Sequence, residues 1–223
     1  MGAGVSVAVL GPDGAGKTTL VTALPGALAD QPLVVYMGVN RDSQTHALPT
    51  MRWAQRRLTP VPAVATAGPA TSASSPTRAR RRPLVMLRGL ITRVHLLLDQ
   101  AYRVGIGMRA RRRGRTVIFD RYLYDAEVDA AVEGRGARER RVLRWIRRRF
   151  PAPDLVVVLD APGEVLFARK GEHDVERLDR LRRAYADIAR DVPAVAVIDV
   201  RQDAAAVLAE AVTAIERCRD ERR

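Results

Sequence analysis

One cysteine, Cys218, is all that the 223-residue chain carries. An internal disulfide is thereby excluded, no metal-ligand spacing surrounds the thiol, and such sparing use fits a reducing cytoplasm. Aromatic residues make up only 4% of the chain, too few for a surface on which successive bases stack. No apolar run reaches the length that spans a bilayer, and the first apolar segment begins almost at once, so neither a signal peptide nor a membrane anchor is expected. Acids are also short: 25 Asp plus Glu stand against 38 Lys plus Arg, a net charge of +13 that is nearly all arginine. Two accounts of this excess stay open. One is a polyanion partner such as nucleic acid. The other is an Arg-rich composition from a GC-rich coding sequence, decorating solvated helix faces that also draw in nucleotide phosphates. The basic clusters lie in helical stretches with no recognition motif beside them, which favours the second account and leaves nucleic acid and membrane as unexpected partners.

What is present is an alternation. Short β-branched or apolar runs at 5–10, 33–37, 116–119, 155–159 and 195–198 are bounded by turn residues and separated by helix-period segments. That pattern predicts an α/β fold, a five-stranded parallel sheet with helices on both faces. Because the runs are nearly continuous in apolar character, the strands should be buried on both sides. The length suits a single domain over 1–223 with a sizeable core. Within it, 59–83 is rich in Pro, Ala, Ser and Thr and reads as a flexible loop or insertion. Helical stretches at 43–58 and 84–113 flank it, and 203–219 reads as a terminal amphipathic helix.

Directly after the first apolar run comes Gly11-Pro12-Asp13-Gly14-Ala15-Gly16-Lys17-Thr18-Thr19, a complete phosphate-binding loop of the form G-x-x-x-x-G-K-[ST]. The glycines let the backbone curl until amides, those of Gly11, Gly14, Ala15 and Gly16 among the candidates, point at phosphate oxygens. The following helix adds the positive end of its dipole through Thr18 and Thr19. Lys17 can reach the β- and γ-phosphates, and the Thr18 hydroxyl can ligate Mg²⁺. The expected architecture is therefore a P-loop NTPase fold, with ATP as phosphoryl donor and Mg²⁺ as cofactor.

A second signal is Val117-Ile118-Phe119-Asp120-Arg121-Tyr122, where a buried strand delivers an acid and a base at its carboxyl end. Ligands of open α/β sheets bind at that edge, so both should emerge beside the phosphate loop. Asp120 can hold Mg²⁺ or polarise a substrate group, and Arg121 can bridge the two phosphates that must meet. An ordinary ion pair ending a strand is the plainer reading. Asp160, at the end of the fourth run and before Ala161-Pro162, reads as a helix-start or turn residue. His173 has no Cys or His neighbour that would make it a metal ligand, and phosphoryl transfer needs no histidine base.

The pairing of GPDGAGKTT with FDRYLYD, followed by PDLVVVLDAP, ARKGE and RLRRAYADIA, resembles the thymidylate kinase family of nucleoside-monophosphate kinases. The resemblance spans nearly the whole sheet and weakens between about residues 37 and 100. It implies ATP-dependent phosphoryl transfer to a small acceptor, a nucleoside monophosphate first. A kinase of another small metabolite and a nucleic-acid-associated NTPase are the rivals. By similarity, Asp13 faces the acceptor sugar hydroxyl, Asp120 and Arg121 place Mg²⁺ and the acceptor phosphate, and Tyr122 completes the motif, though helix-start packing explains Tyr122 equally well. Family members without a basic residue inside the loop supply arginines from a lid. Here that implies a lid near 169–177, with Arg169 catalytic and Lys170 on the donor phosphates. For the acceptor, Arg41 after the second strand and Gln100 and Arg103 on the long helix are the candidates. The segment 59–83 lacks the aromatic that stacks on the family's base. A homodimer through a long helix is a further implication of the resemblance.

Overall fold

The computed structural model describes residues 4–38 and 82–222, with the side chains of the long helix described from Val94 onward. Two compact units divide the chain, one made of 1–39 and 103–223 and the other of 40–102. In the first lie five strands, β1 (Ser6–Leu10), β2 (Leu33–Tyr36), β3 (Val117–Asp120), β4 (Leu155–Asp160) and β5 (Val195–Asp199). The helices are α1 (Lys17–Ala27), α2 (Arg82–Arg112), α3 (Tyr124–Val132), α4 (Ala137–Arg149), α5 (Gly163–Lys170), α6 (Val175–Arg190) and α7 (Ala204–Asp220). Of α2, the turns up to Tyr102 belong to the second unit, and the remainder to the first. The helical stretch expected at 43–58 and nearly all of the 59–83 segment fall outside the described residues.

All strand pairs are parallel, in the order β2-β3-β1-β4-β5, so the strand carrying the phosphate loop is central and β3 is its neighbour. Val9 on β1 is in register with Asp120 on β3, which brings the acid of the second motif level with the start of the loop. The helix pairs α1–α7 and α3–α6 pack within themselves and also touch the sheet, covering its two faces. Near its end α2 closes on β3: a Cβ at Gly107 would come within 2.6 Å of the Phe119 ring. Only glycine permits that approach.

Burial on both sides, expected of every strand, holds for the three central ones. β1 is wholly buried, and β3 and β4 are buried up to their final aspartates. The edge strands differ, with Val34 on β2 38% exposed and Val197 on β5 56% exposed. An edge strand has a neighbour on one side alone, so its apolar run records sheet membership rather than full burial.

A buried aspartate ties the amino-terminal side of the sheet together. Asp154, just before β4, accepts from the Ser6 amide at 2.9 Å and the Ser6 hydroxyl at 2.8 Å. It also pairs with Arg111 at the end of α2 at 2.6 Å and with Arg222 after α7 at 2.8 Å. Strand, helix end and chain end thus share one carboxylate.

Candidate active site

β1 ends at Leu10, and the chain turns through glycines that the geometry requires. Gly14 sits at φ 86° and Gly16 at φ 84°, left-handed values that side chains rarely adopt. A Cβ on Gly14 would lie 2.7 Å from the Leu166 carbonyl, whereas one on Gly16 would meet nothing within 4 Å. The loop is therefore pressed against α5 on one side and faces open space on the other. Leu20 makes the first α-helical bond back to Gly16, leaving the amides of Lys17, Thr18 and Thr19 without intrahelical acceptors. Donors, dipole and empty volume converge on one point, the arrangement an anion needs.

Lys17 is buried and folded onto its own loop, donating from Nζ to the carbonyls of Gly11 and Pro12, both at 2.7 Å. Burial and the neighbouring Arg121 hold its ammonium below the usual lysine range, against the opposing pull of Asp13, Asp125 and Asp120. Asp13 collects three basic side chains: Arg121 at 3.2 Å, Lys17 at 3.8 Å and the His173 imidazole at 3.5 Å. Burial pushes the Asp13 carboxyl up, but Lys17, Arg121, Lys170 and His173 outweigh it and hold it below its ordinary value. Asp13 is thus ionised and placed between the loop, the end of β3 and the segment between α5 and α6.

Three strands end on aspartate: β3 on Asp120, β4 on Asp160 and β5 on Asp199. Asp160 is taken by Arg182 of α6 in a two-pronged pair, both contacts at 2.8 Å. It caps no helix, since α5 opens at Pro162 without a side-chain cap, so the helix-start reading of Asp160 gives way to an ion pair. Asp199 is held by Arg201 at 2.8 Å, which lowers its carboxyl to about 2. The Asp120 carboxylate alone of the three has no hydrogen bond or ion pair among the described residues. Burial pushes it up, against Arg121 and Lys17. A partly desolvated carboxylate without a partner among the described residues, level with the strand end that leads into the phosphate loop, offers together with the Thr18 hydroxyl oxygen donors of the kind that suit a hard cation such as Mg²⁺.

Arg121 follows with φ 69°, a left-handed backbone on a non-glycine residue. The turn is fastened from both sides. Its amide donates to the Val9 carbonyl at 3.2 Å, and the next amide, of Tyr122, donates to the Asp125 carboxylate at 2.9 Å. Asp125 also accepts from the Tyr185 hydroxyl of α6 at 2.6 Å, and Arg121 Nη1 lies 4.0 Å from the same carboxylate. Burial disfavours the Arg121 cation, yet Asp125 and Asp13 hold it above its ordinary value. Burial and Asp125 raise the Tyr185 phenol well above normal, so it stays a donor. Asp13, Arg121, Asp125 and Tyr185 form a continuous charge and hydrogen-bond chain from the phosphate loop to α6.

The remaining candidates separate. Tyr122 is buried, its ring on Phe119 and Tyr124 and its hydroxyl donating to the Pro151 carbonyl, which is packing at the start of α3. Arg103 is buried and donates to the Tyr36 carbonyl at the carboxyl end of β2. Gln100 belongs to the second unit, and Arg41 lies outside the described residues. Arg169 and Lys170 part company at the end of α5. Arg169 donates to the Val200 carbonyl at 2.7 Å and lines a cavity of about 340 Å³ with Ala15, Gly16, Thr19 and Gln202, on the α7 side of the loop. Lys170 pairs with Glu172 at 2.9 Å, and its field reaches Asp13. Three residues of this network had no role from sequence: Asp125, Tyr185 and His173. Asp125 closes the FDRYLYD motif and was legible there as a helix-start acid. The partner 60 residues away was not.

A phosphate loop on the central strand of a parallel sheet ordered 2-3-1-4-5, with helices on both faces, defines a P-loop NTPase fold. No family model matches the chain. The thymidylate kinase of Candida albicans has a similar structure, with a TM-score of 0.64 over 97% of this chain and 93% of that one at 16% identity. In sequence the chain is 27% identical over 107 residues to a Saccharolobus solfataricus protein named "Probable thymidylate kinase 1". That match takes in 45% of this chain and spans about half of the relative, 54% of its length. The chain is thymidylate-kinase-like: in fold across the whole sheet, and in sequence over that stretch.

Proposed function

We propose that the protein transfers the γ-phosphoryl group of Mg²⁺-ATP to a nucleoside monophosphate, thymidylate first among them. The observation that carries this reading is the Asp13–Arg121 contact at 3.2 Å. An acid inside a phosphate loop has no use in holding ATP, since it repels phosphate. Held by an arginine from the next strand, it marks the place where a second substrate meets the first.

The loop amides and Lys17 bind the donor phosphates, the ammonium exchanging the Gly11 and Pro12 carbonyls for phosphate oxygens. Thr18 and Asp120 would hold Mg²⁺, which supplies charge neutralisation on the β- and γ-phosphates. Arg121 faces the acceptor phosphate and offsets repulsion between the two phosphates as they approach in line. Asp13 accepts a hydroxyl of the acceptor and orients it. The cavity beside Arg169 takes the base end of the donor. Lys170, whose field reaches Asp13, closes from the lid at 169–177 over the transferring group. The single, buried cysteine suits a reducing cytoplasm, where ATP is also found.

The test is phosphoryl transfer from ATP with Mg²⁺ across a panel of nucleoside monophosphates, sugars and duplex DNA. The reading requires little hydrolysis alone and turnover with a monophosphate. ATP turnover that rises with DNA and with no small acceptor overturns it. The Asp13→Asn variant should keep ATP affinity within about threefold, while turnover with the acceptor drops about 100-fold, the scale of one lost transition-state contact.

A further inference from the structure

Away from the nucleotide site, α4 stands apart in how its charge is wired. Seven of its thirteen residues are arginine, against the single acid Glu139. Its inner side, Leu143, Ile146 and Arg147, is half-buried, and α4 packs on α3, Arg147 pairing with Glu127 at 2.7 Å and lying over the Tyr124 ring. Its outer side places Arg138, Arg141, Trp145 and Arg148 at successive spacings of three to four residues, with Val142 and Arg149 alongside. These six share one helical face about 17 Å long. All six are exposed, Trp145 at 58% and Val142 at 50%.

Solvated, arginine-rich composition accounts for α6 but not for α4. On α6, Arg180 pairs with Glu176, Arg182 with Asp179 and Asp160, and Arg190 with Asp187. On the outer face of α4, none of Arg138, Arg141, Arg148 and Arg149 has an ion pair among the described residues. Helix stability explains only Arg148 and Arg149, which lie in the last turn. Cations in the last turn favour a helix, but Arg138 and Arg141 sit near the positive end of the dipole, where they are disfavoured. Among the described residues no acid answers these four guanidiniums, which leaves the face open to an anionic surface.

We propose that the outer face of α4 docks the protein reversibly on an anionic lipid surface. Trp145 distinguishes this occupant from nucleic acid. The Arg149 guanidinium lies 5.0 Å above its ring, so one face of the indole is already taken and less of the ring is free to stack on a base. An indole so covered still presents its edge and N–H, which suits the headgroup level of a membrane, with Val142 beside it entering the acyl boundary. Four unpaired guanidiniums around this small apolar centre match anionic headgroups. No helix among the described residues is long and apolar enough to cross a membrane, and an in-plane helix needs no such span.

The test is co-sedimentation of the full chain with phosphatidylcholine vesicles, with and without about one third phosphatidylglycerol, near physiological salt. Binding to the anionic vesicles should exceed binding to the neutral ones at least about tenfold and fall steeply with salt. The double variant Arg141→Glu/Arg148→Glu should lose that tenfold, and Trp145→Phe should lose the blue shift of fluorescence on binding. Both variants should keep wild-type phosphoryl transfer and melting temperature. Equal binding to neutral vesicles, no binding to anionic ones, or insensitivity to the double variant would overturn the proposal. So would tighter binding to duplex DNA at the same salt, if the same substitutions abolish it.

Discussion

Arg121 holds φ 69°, where an L-residue pays roughly 1–2 kcal/mol for the clash of its Cβ. The backbone is kept there by the Val9 carbonyl and the Asp125 carboxylate, and the gain is a guanidinium aimed at Asp13. Conformation and charge can be separated by two substitutions. Arg121→Ala and Arg121→Gly both remove the side chain, but only glycine accepts the left-handed turn freely. Glycine should therefore be the more stable variant by about 1 kcal/mol in urea unfolding, reversing the usual order. Both should lower phosphoryl transfer about 100-fold or more. Equal stability would mean the strain is relieved elsewhere. Asp120 offers a test by pH. Burial raises its folded pKa, so the neutral carboxyl is harboured without penalty below the unfolded value of about 4, and the carboxylate costs stability as pH climbs through the folded value. Asp120→Asn should accordingly raise the melting temperature of the ligand-free protein at pH 7. The advantage should vanish as pH falls below about 4, while activity is lost throughout. Asp13 has the opposite sign: its depressed pKa gives stability present above about 4 and lost as pH falls through the folded value.

Among the elements, the five strands were legible because a parallel strand buried between helices needs an uninterrupted apolar run, and each run became a strand within about a residue of its expected limits. The phosphate loop was legible because its glycines answer a backbone demand that no other residue meets. Exposure of β2 and β5 was not legible, since strand order is absent from a run of valines. Nor were the long-range pairs: Asp160 with Arg182, Asp125 with Tyr185 and Ser6 with Asp154 join residues whose kinship is fixed only by the fold. Asp154 is the element-scale case. Its carboxylate receives β1, the end of α2 and the end of the chain, and its side chain is only 6% exposed. Asp154→Ala strands the Ser6 hydroxyl and amide without their acceptor and leaves Arg111 facing a cavity. It should cost about 3 kcal/mol or more, read from urea unfolding with unchanged m-value. The site lies at the opposite end of the sheet, so kcat/KM of the folded fraction should be unchanged.

At the scale of the whole molecule, a net +13 means that any polyanion relieves self-repulsion at low salt, so stabilisation by ATP is not by itself evidence of a site. The site adds something more specific. Arg121 disfavours the Lys17 charge across the loop, and on the proposed reading the bound phosphates would answer both cations. At a hundredfold excess over its dissociation constant, one ligand binding only the folded state adds about 2.7 kcal/mol. For a chain of this length that is a rise of roughly 5–10 °C in melting temperature. Salt at twice the physiological level shortens the screening length below about 8 Å, which removes the diffuse contribution but little of the contact one. Under those conditions Mg²⁺-ATP should still raise the melting temperature by several degrees, and inorganic sulfate of equal ionic strength should not. Lys17→Ala should abolish the rise, whereas Arg141→Glu/Arg148→Glu, which removes more positive charge but from the far helix α4, should leave it intact. If the two variants behave alike, bulk charge rather than the phosphate loop governs nucleotide binding. If they differ as expected, the arginine excess and the nucleotide site are separate properties of the chain, and each can be altered without the other.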